Sequence, residues 1–113
     1  MFGPYPKLAA VSGAHSHIAR QLFDATTAIG ALIEEGVVAN SRRDMAAKYA
    51  IALREAREAN YWARLAATDP AWTTAMAPII QETREFVAML TVSVRKLRSP
   101  IEGASPRAEG IEK

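Results

Sequence analysis

Two pairs of carboxylates are the first residues of this chain to test for chemistry: Glu34 and Glu35 in "IGALIEEG", and Glu55 and Glu58 in "REAREANYW". Two carboxyl groups with separated pKa values can divide acid and base roles between them. Neighbouring residues on a helix lie about 100° apart, so Glu34 and Glu35 cannot both point into one pocket. The expected arrangement is that they close a packing helix, with one bridging to a basic residue of a neighbouring helix or subunit and the other in solvent. Glu55 and Glu58, at i and i+3, do share a helix side, but Arg54 and Arg57 lie beside them. That pattern is the usual make-up of solvated ion pairs or interhelical bridges. A carboxylate enzyme would need a pocket near Glu55 and Glu58 with a strongly shifted pKa.

Other chemistries find less to build on. Helical bundles hold paired metals with glutamates and Glu-x-x-His motifs. Here Glu58 is followed at that spacing by Tyr61, while His15 and His17 are expected to precede the first helix, out of register. The chain has no cysteine, which removes disulfides and thiolate ligands. Neither a Gly-x-Ser-x-Gly elbow nor a glycine-rich phosphate loop occurs. The expectation is a protein without catalytic residue, metal or cofactor.

Nucleic acid is the alternative ligand. Fourteen basic and twelve acidic side chains give a net charge of +2, too small a balance to demand a polyanionic partner. Where the cations lie matters more. Arg95, Lys96 and Arg98 fall in the last turn of a helix, where the helix dipole already favours them. With Arg42 and Arg43 they could form a phosphate-binding surface. Tyr61 and Trp62 could stack on bases, although packing is the commoner role of aromatics near a helix end.

The elements that position these residues are helices. At 113 residues the chain fits one domain. Half of it is hydrophobic, with alanine prominent, and alanine favours closely packed helices. Ile18, Leu22, Ala25, Ile29, Ile33 and Val37 recur at helical spacing and predict a helix over about 16–39. Gly30 within it would admit a neighbouring helix. Ser41, with Asp44 three residues on, is a start signal for a second helix over about 42–67. Its inward stripe, Met45, Tyr49, Ala52, Leu53, Ala56, Ala59, Ala63 and Ala66, is poor in bulk and implies close interhelical approach. "TDPAW" suggests a capped short turn of helix. Pro78 should then begin the last helix, about 78–98, which carries Ile79, Thr83, Phe86, Leu90, Val94 and Leu97. Residues 1–14 read as an irregular lead-in, 15–98 as the helical domain, and 99–113, "SPIEGASPRAEGIEK", as a disordered tail. No signal peptide or membrane span is expected, which suggests a cytoplasmic protein with no membrane partner.

Taken together, Ile29-Gly30-Ala31, Ile33-Glu34-Glu35, Ser41, Asp44, Ala52-Leu53, Glu55-Ala56-Arg57-Glu58, Tyr61-Trp62 and Arg64-Leu65 resemble a known group. They look like the bacterial four-helix-bundle proteins encoded in intervening sequences of large-subunit ribosomal RNA, and their free-standing chromosomal relatives. The resemblance covers roughly residues 18 to 98. It implies an up-and-down bundle, assembly of copies into a ring with pentamers among its members, and no established reaction. More distant relatives of similar shape, basic pentameric accessories of retroelement reverse transcriptases, imply a nucleic-acid-binding alternative. The chain departs from the pattern at Ala28 and Leu32, where serine and asparagine are usual, and at Met45, where an aromatic is usual. It also lacks the usual long first helix ahead of residue 18. That departure predicts three long helices with an apolar groove left uncovered.

Overall fold

A computed structural model describes residues 13–100 and forms three helices: α1 (Ala14–Val37), α2 (Arg42–Ala66) and α3 (Thr73–Arg98). Among the described residues there is no strand. The fold is all-α, with the three main helices that apolar spacing predicted. Most of the expected lead-in (1–12) and of the expected tail (101–113) lies outside the described residues.

α1 starts earlier than predicted. Gly13 takes the left-handed conformation, φ 76°, and its carbonyl accepts the His17 N–H at 3.1 Å. A glycine adopts that conformation without a Cβ penalty, so the helix can begin directly after it. His15 and His17 therefore belong to the first turn of α1 and do not precede it, correcting the expectation. α2 starts where predicted, with Ser41 extended and its Oγ accepting the Asp44 N–H at 3.1 Å. That bond satisfies one of the unpaired amides of the first turn.

α3 departs most from expectation, because Pro78 lies inside it and not at its start. The turn before it is set by Asp69, whose Oδ1 accepts the Ala71 N–H at 3.0 Å and whose carbonyl accepts the Trp72 N–H at 2.8 Å. The Thr73 hydroxyl donates to the Ala67 carbonyl at 2.8 Å, which fixes the chain where the helix begins. Residues 70–72 thus form a turn, not the expected short helix. Pro78 withholds one N–H from the carbonyl of Thr74, an exposed residue where water can take its place, and the helix runs through.

α2 lies in the middle. Arg42 reaches the end of α3, Asn60 reaches Thr83 and Gly36 meets Tyr49, so both flanking helices run antiparallel to α2. Ala52, Ala56, Ala59 and Ala63 of α2 are 0% exposed. With methyl groups only on this stripe, α1 and α3 can both approach the α2 backbone closely. One buried cluster gathers Ala25, Ile29, Ala52, Ala56, Ala59 and Leu90, and a second, towards the α2 C-terminus, gathers Ile18, Ala63, Leu65, Ala66 and Met76. A polar cross-link sits between α2 and α3. Asn60 Nδ2 donates to Thr83 Oγ1 at 3.0 Å, and Asn60 Oδ1 accepts from Arg64 Nε at 2.7 Å. Thr83, 3% exposed, passes its own proton to the Ile79 carbonyl at 2.8 Å.

Candidate functional site

α1 and α3 both pack along α2 but barely meet each other. Between them runs an apolar groove of about 480 Å³. α1 lines it with Leu22, Phe23, Thr26, Ile29, Gly30 and Ile33, and α3 with Ile79, Glu82, Thr83 and Phe86. The sequence explains why the groove exists. Besides the stripe facing α2, α1 carries Ala19, Phe23, Thr26, Gly30, Ile33 and Val37 in alternating steps of four and three. α3 carries Ala75, Ile79, Glu82, Phe86, Met89 and Ser93 in the same steps. Alternation of four and three is the repeat of a helix-packing seam. Each flanking helix thus has two seams, and α2 satisfies only one of them.

The second seam is open. Phe23 is 70% exposed, Val37 63% and Met89 50%. Its Thr26 hydroxyl is satisfied within its own helix, donating to the Leu22 carbonyl at 2.8 Å. Glu82 is the one ionisable side chain lining the groove. Gly30 was expected to admit a neighbouring helix. In the structure it faces the groove, and a methyl group there would meet nothing within 4 Å. The glycine in close contact is Gly36, whose missing side chain leaves room for the Tyr49 ring.

The carboxylates do not converge. Glu35 meets Lys48 of α2 at 3.4 Å, and Glu34 is exposed. Glu55 is half-buried and Glu58 exposed, and neither lines the groove, the small recess beside His15 and Trp72, or the recess beside Arg42 and Arg98. No group of three or more His, Asp or Glu residues could hold a metal among the described residues.

The basic residues do gather at one end. Arg42, Arg43 and Arg98 line a recess of about 770 Å³ with Asn40, Ser41 and Ser99. Arg42 is already engaged there. Its guanidinium donates to the carbonyls of Lys96 at 2.9 Å and Leu97 at 3.2 Å, closing the α3 C-terminus. Arg95 and Lys96 lie in the same last turn and are exposed. At the opposite end an aromatic cluster forms that sequence reading missed: Trp62 meets Tyr61 and His17 edge-on at centroid distances of 5.2 and 5.4 Å, and His15 stacks on Trp72 at 5.6 Å. Trp62 packs against the core cluster towards the α2 C-terminus, and Tyr61 is 39% exposed. His15 Nε2 also lies 2.9 Å from Asp69 Oδ2. The Ala71 backbone N–H, and after it the His15 hydrogen bond, hold the Asp69 carboxyl below its ordinary value. The spacing of fifty-four residues between His15 and Asp69 gave no local signal for this contact.

Compared with known proteins, the chain matches no family model, no curated protein and no solved structure.

Proposed function

We propose that this chain is a non-enzymatic helical-bundle protein that acts through self-assembly, joining copies at the open α1/α3 side into a ring-like homo-oligomer in the cytoplasm. The observation that supports this reading is the second seam, with Phe23, Val37 and Met89 presented to solvent on one side of the bundle. Large contiguous apolar patches on soluble domains mark interaction sites. Val38, 77% exposed, and Val92, 46% exposed, extend the apolar surface towards the end where α2 begins. Pentamers are the size implied by the family resemblance. The reading assigns Ile29, Ile33, Tyr61 and Trp62 to packing, and Glu34, Glu35, Glu55 and Glu58 to bridges within or between copies.

The test is the molar mass by light scattering behind a sizing column, with absorbance at 260 and 280 nm recorded together. A discrete oligomer that dissociates in the Met89→Glu/Val92→Glu variant, with helicity retained, is the expected result. A parent chain that stays monomeric at every concentration would sink the reading.

A second reading is favoured by the recess at the α2 N-terminus, where Arg43 and Arg98 face a common concavity beside Arg95 and Lys96. In it, the protein is an accessory that binds RNA or another nucleic acid. Phosphate contacts weaken steeply as salt rises. Co-eluting nucleic acid lost between low and moderate salt, and lost in Arg43→Glu/Arg98→Glu, would move this reading to first place.

A further inference from the structure

The recess between the start of α2 and the end of α3 combines free donors with apolar surface. Arg43, Arg98, Asn40 and Ser41 line it together with Ala46, Leu97 and Pro100. No carboxylate does, since Asp44 of the same turn lies outside the lining. Among the described residues Arg43 and Arg98 have no hydrogen-bond or ion-pair partner. The Ser41 hydroxyl accepts the Asp44 N–H at 3.1 Å and keeps its own proton to donate.

The end of α3 opposes an anion here, because unpaired carbonyls gather at a helix C-terminus and carry the negative end of its dipole. Arg42 answers them. Its guanidinium donates to the carbonyls of Lys96 at 2.9 Å, Leu97 at 3.2 Å and Ser99 at 3.5 Å. Arg42 is therefore occupied by the protein itself, a positioning residue that leaves Arg43 and Arg98 to a ligand.

We infer that this recess binds the phosphate monoester of a nucleotide, carried at the end of a single strand or free. For a strand end the inference rests on the nucleic-acid reading above, and it names the part of the nucleic acid that is held. It stands apart from self-assembly, because the recess and the α1/α3 groove have no lining residue in common.

Three observations select a terminal phosphate over the backbone of a strand. A phosphate monoester carries a charge of about −1.5 to −2 at neutral pH and three acceptor oxygens. Two unpaired guanidinium forks with a hydroxyl and an amide beside them match that set, and guanidinium forks favour bidentate contact with phosphate. Shape is the second. The donors border a concavity of about 770 Å³, within the roughly 300–1,000 Å³ of small-ligand clefts. A chain end enters such a recess more readily than a phosphate flanked by sugars on both sides. Third, Ala46, Leu97 and Pro100 give the sugar and base an apolar surface, which inorganic phosphate would not use. Beyond the recess the last turn of α3 adds only Arg95 and Lys96, fewer cations than an extended backbone track employs.

The test is fluorescence anisotropy of the full chain with two hexathymidylates labelled at the 3′ end, one bearing a 5′-phosphate and the other a 5′-hydroxyl, at about 50 mM salt. The phosphorylated strand should bind at least about tenfold more tightly, the worth of one hydrogen bond to a charged group. Arg43→Gln/Arg98→Gln should abolish that preference with the circular dichroism unchanged, and a preference that survives it would overturn the inference. Arg95→Gln, outside the lining of the recess, should weaken both strands alike and keep their ratio. Adenosine 5′-monophosphate should displace the strand where adenosine does not. Displacement at the concentration the phosphorylated strand itself requires would assign the site to free nucleotides, and displacement only at far higher concentration would assign it to strand ends. Equal, salt-sensitive binding of the two strands would overturn the inference while leaving the nucleic-acid reading in place, and binding of neither would remove both.

Discussion

The two sides of α1 and α3 teach different lessons although they belong to the same helices. Towards α2, Ala25, Ile29 and Leu90 meet a row of alanines with 0% exposure. Away from α2, Phe23 and Met89 stand largely in solvent at comparable helical spacing. Hydrophobic periodicity is present on both sides, so periodicity alone does not separate core from interface. What separates them is the small-residue partner. The α2 alanines let two backbones come close, whereas the open side has a seam on each wall and nothing described between them.

The largest effect should come from filling the closed side. Ala59→Leu would force a branched side chain into a site with 0% exposure at the centre of the bundle. Overpacking of this kind ordinarily costs about 1–3 kcal/mol, and here both flanking helices would have to move, so the upper end, about 3 kcal/mol, is expected in urea unfolding. The matched change on the open side, Thr26→Leu, should leave monomer stability within about 0.5 kcal/mol, as exposed substitutions usually do. Equal losses at the two positions would erase the distinction between the two sides.

Asn60→Ala comes next. Asn60 holds Thr83 and Arg64 and donates to the Ile80 carbonyl at 3.3 Å, so truncation removes side-chain hydrogen bonds that tie α2 to the middle of α3. A loss of about 1–3 kcal/mol is expected in the same assay, because partly buried partners lose a bond without gaining water.

The two glycines of α1 sharpen the comparison at smaller cost. A methyl group at Gly36 would overlap the Tyr49 ring, whereas one at Gly30 meets nothing within 4 Å. Gly36→Ala should therefore destabilise, and Gly30→Ala should raise the stability of the bundle by up to about 1 kcal/mol through helix propensity. Opposite signs for one substitution in one helix would be hard to obtain unless one side is closed and the other open.

Much of the fold was legible because alanine content, apolar spacing and the Ser41 cap all agree on helices. The inward stripe of α2 was legible at Ala52, Ala56, Ala59, Ala63 and Ala66, since its small residues repeat with the helix, whereas Met45, Tyr49 and Leu53 are only partly buried and the buried Ala46 and Leu65 fell outside the expected stripe. The start of α3 was not. Pro78 reads as a boundary by itself, and only the Asp69 turn and the Thr73 hydroxyl, both dependent on three-dimensional closure, place the start earlier. The open groove had no local signal, because its two walls lie more than forty residues apart. Gly30 was a partial signal: a glycine inside a helix signals space, but not whether that space is filled.

The contact between the start of α1 and the turn before α3, His15 with Asp69, has the smallest expected effect, and its pH dependence has a definite sign. The Asp69 carboxyl is held below its ordinary value of 3.8, chiefly by the Ala71 N–H and then by His15. A carboxylate whose folded pKa is depressed adds stability above its unfolded value, and that stability is lost as pH falls through the folded one. Asp69→Asn should therefore melt slightly below the parent at neutral pH. The gap should shrink once pH drops under 3.8 and close when the parent's carboxyl is fully protonated. Because the amide oxygen introduced by Asp69→Asn could still accept the Ala71 N–H, the part that titrates away measures the charge and the His15 contact, not the turn. A gap that stays constant down to about pH 2 would mean the turn geometry alone matters, and His15 then serves the bundle only by stacking on Trp72.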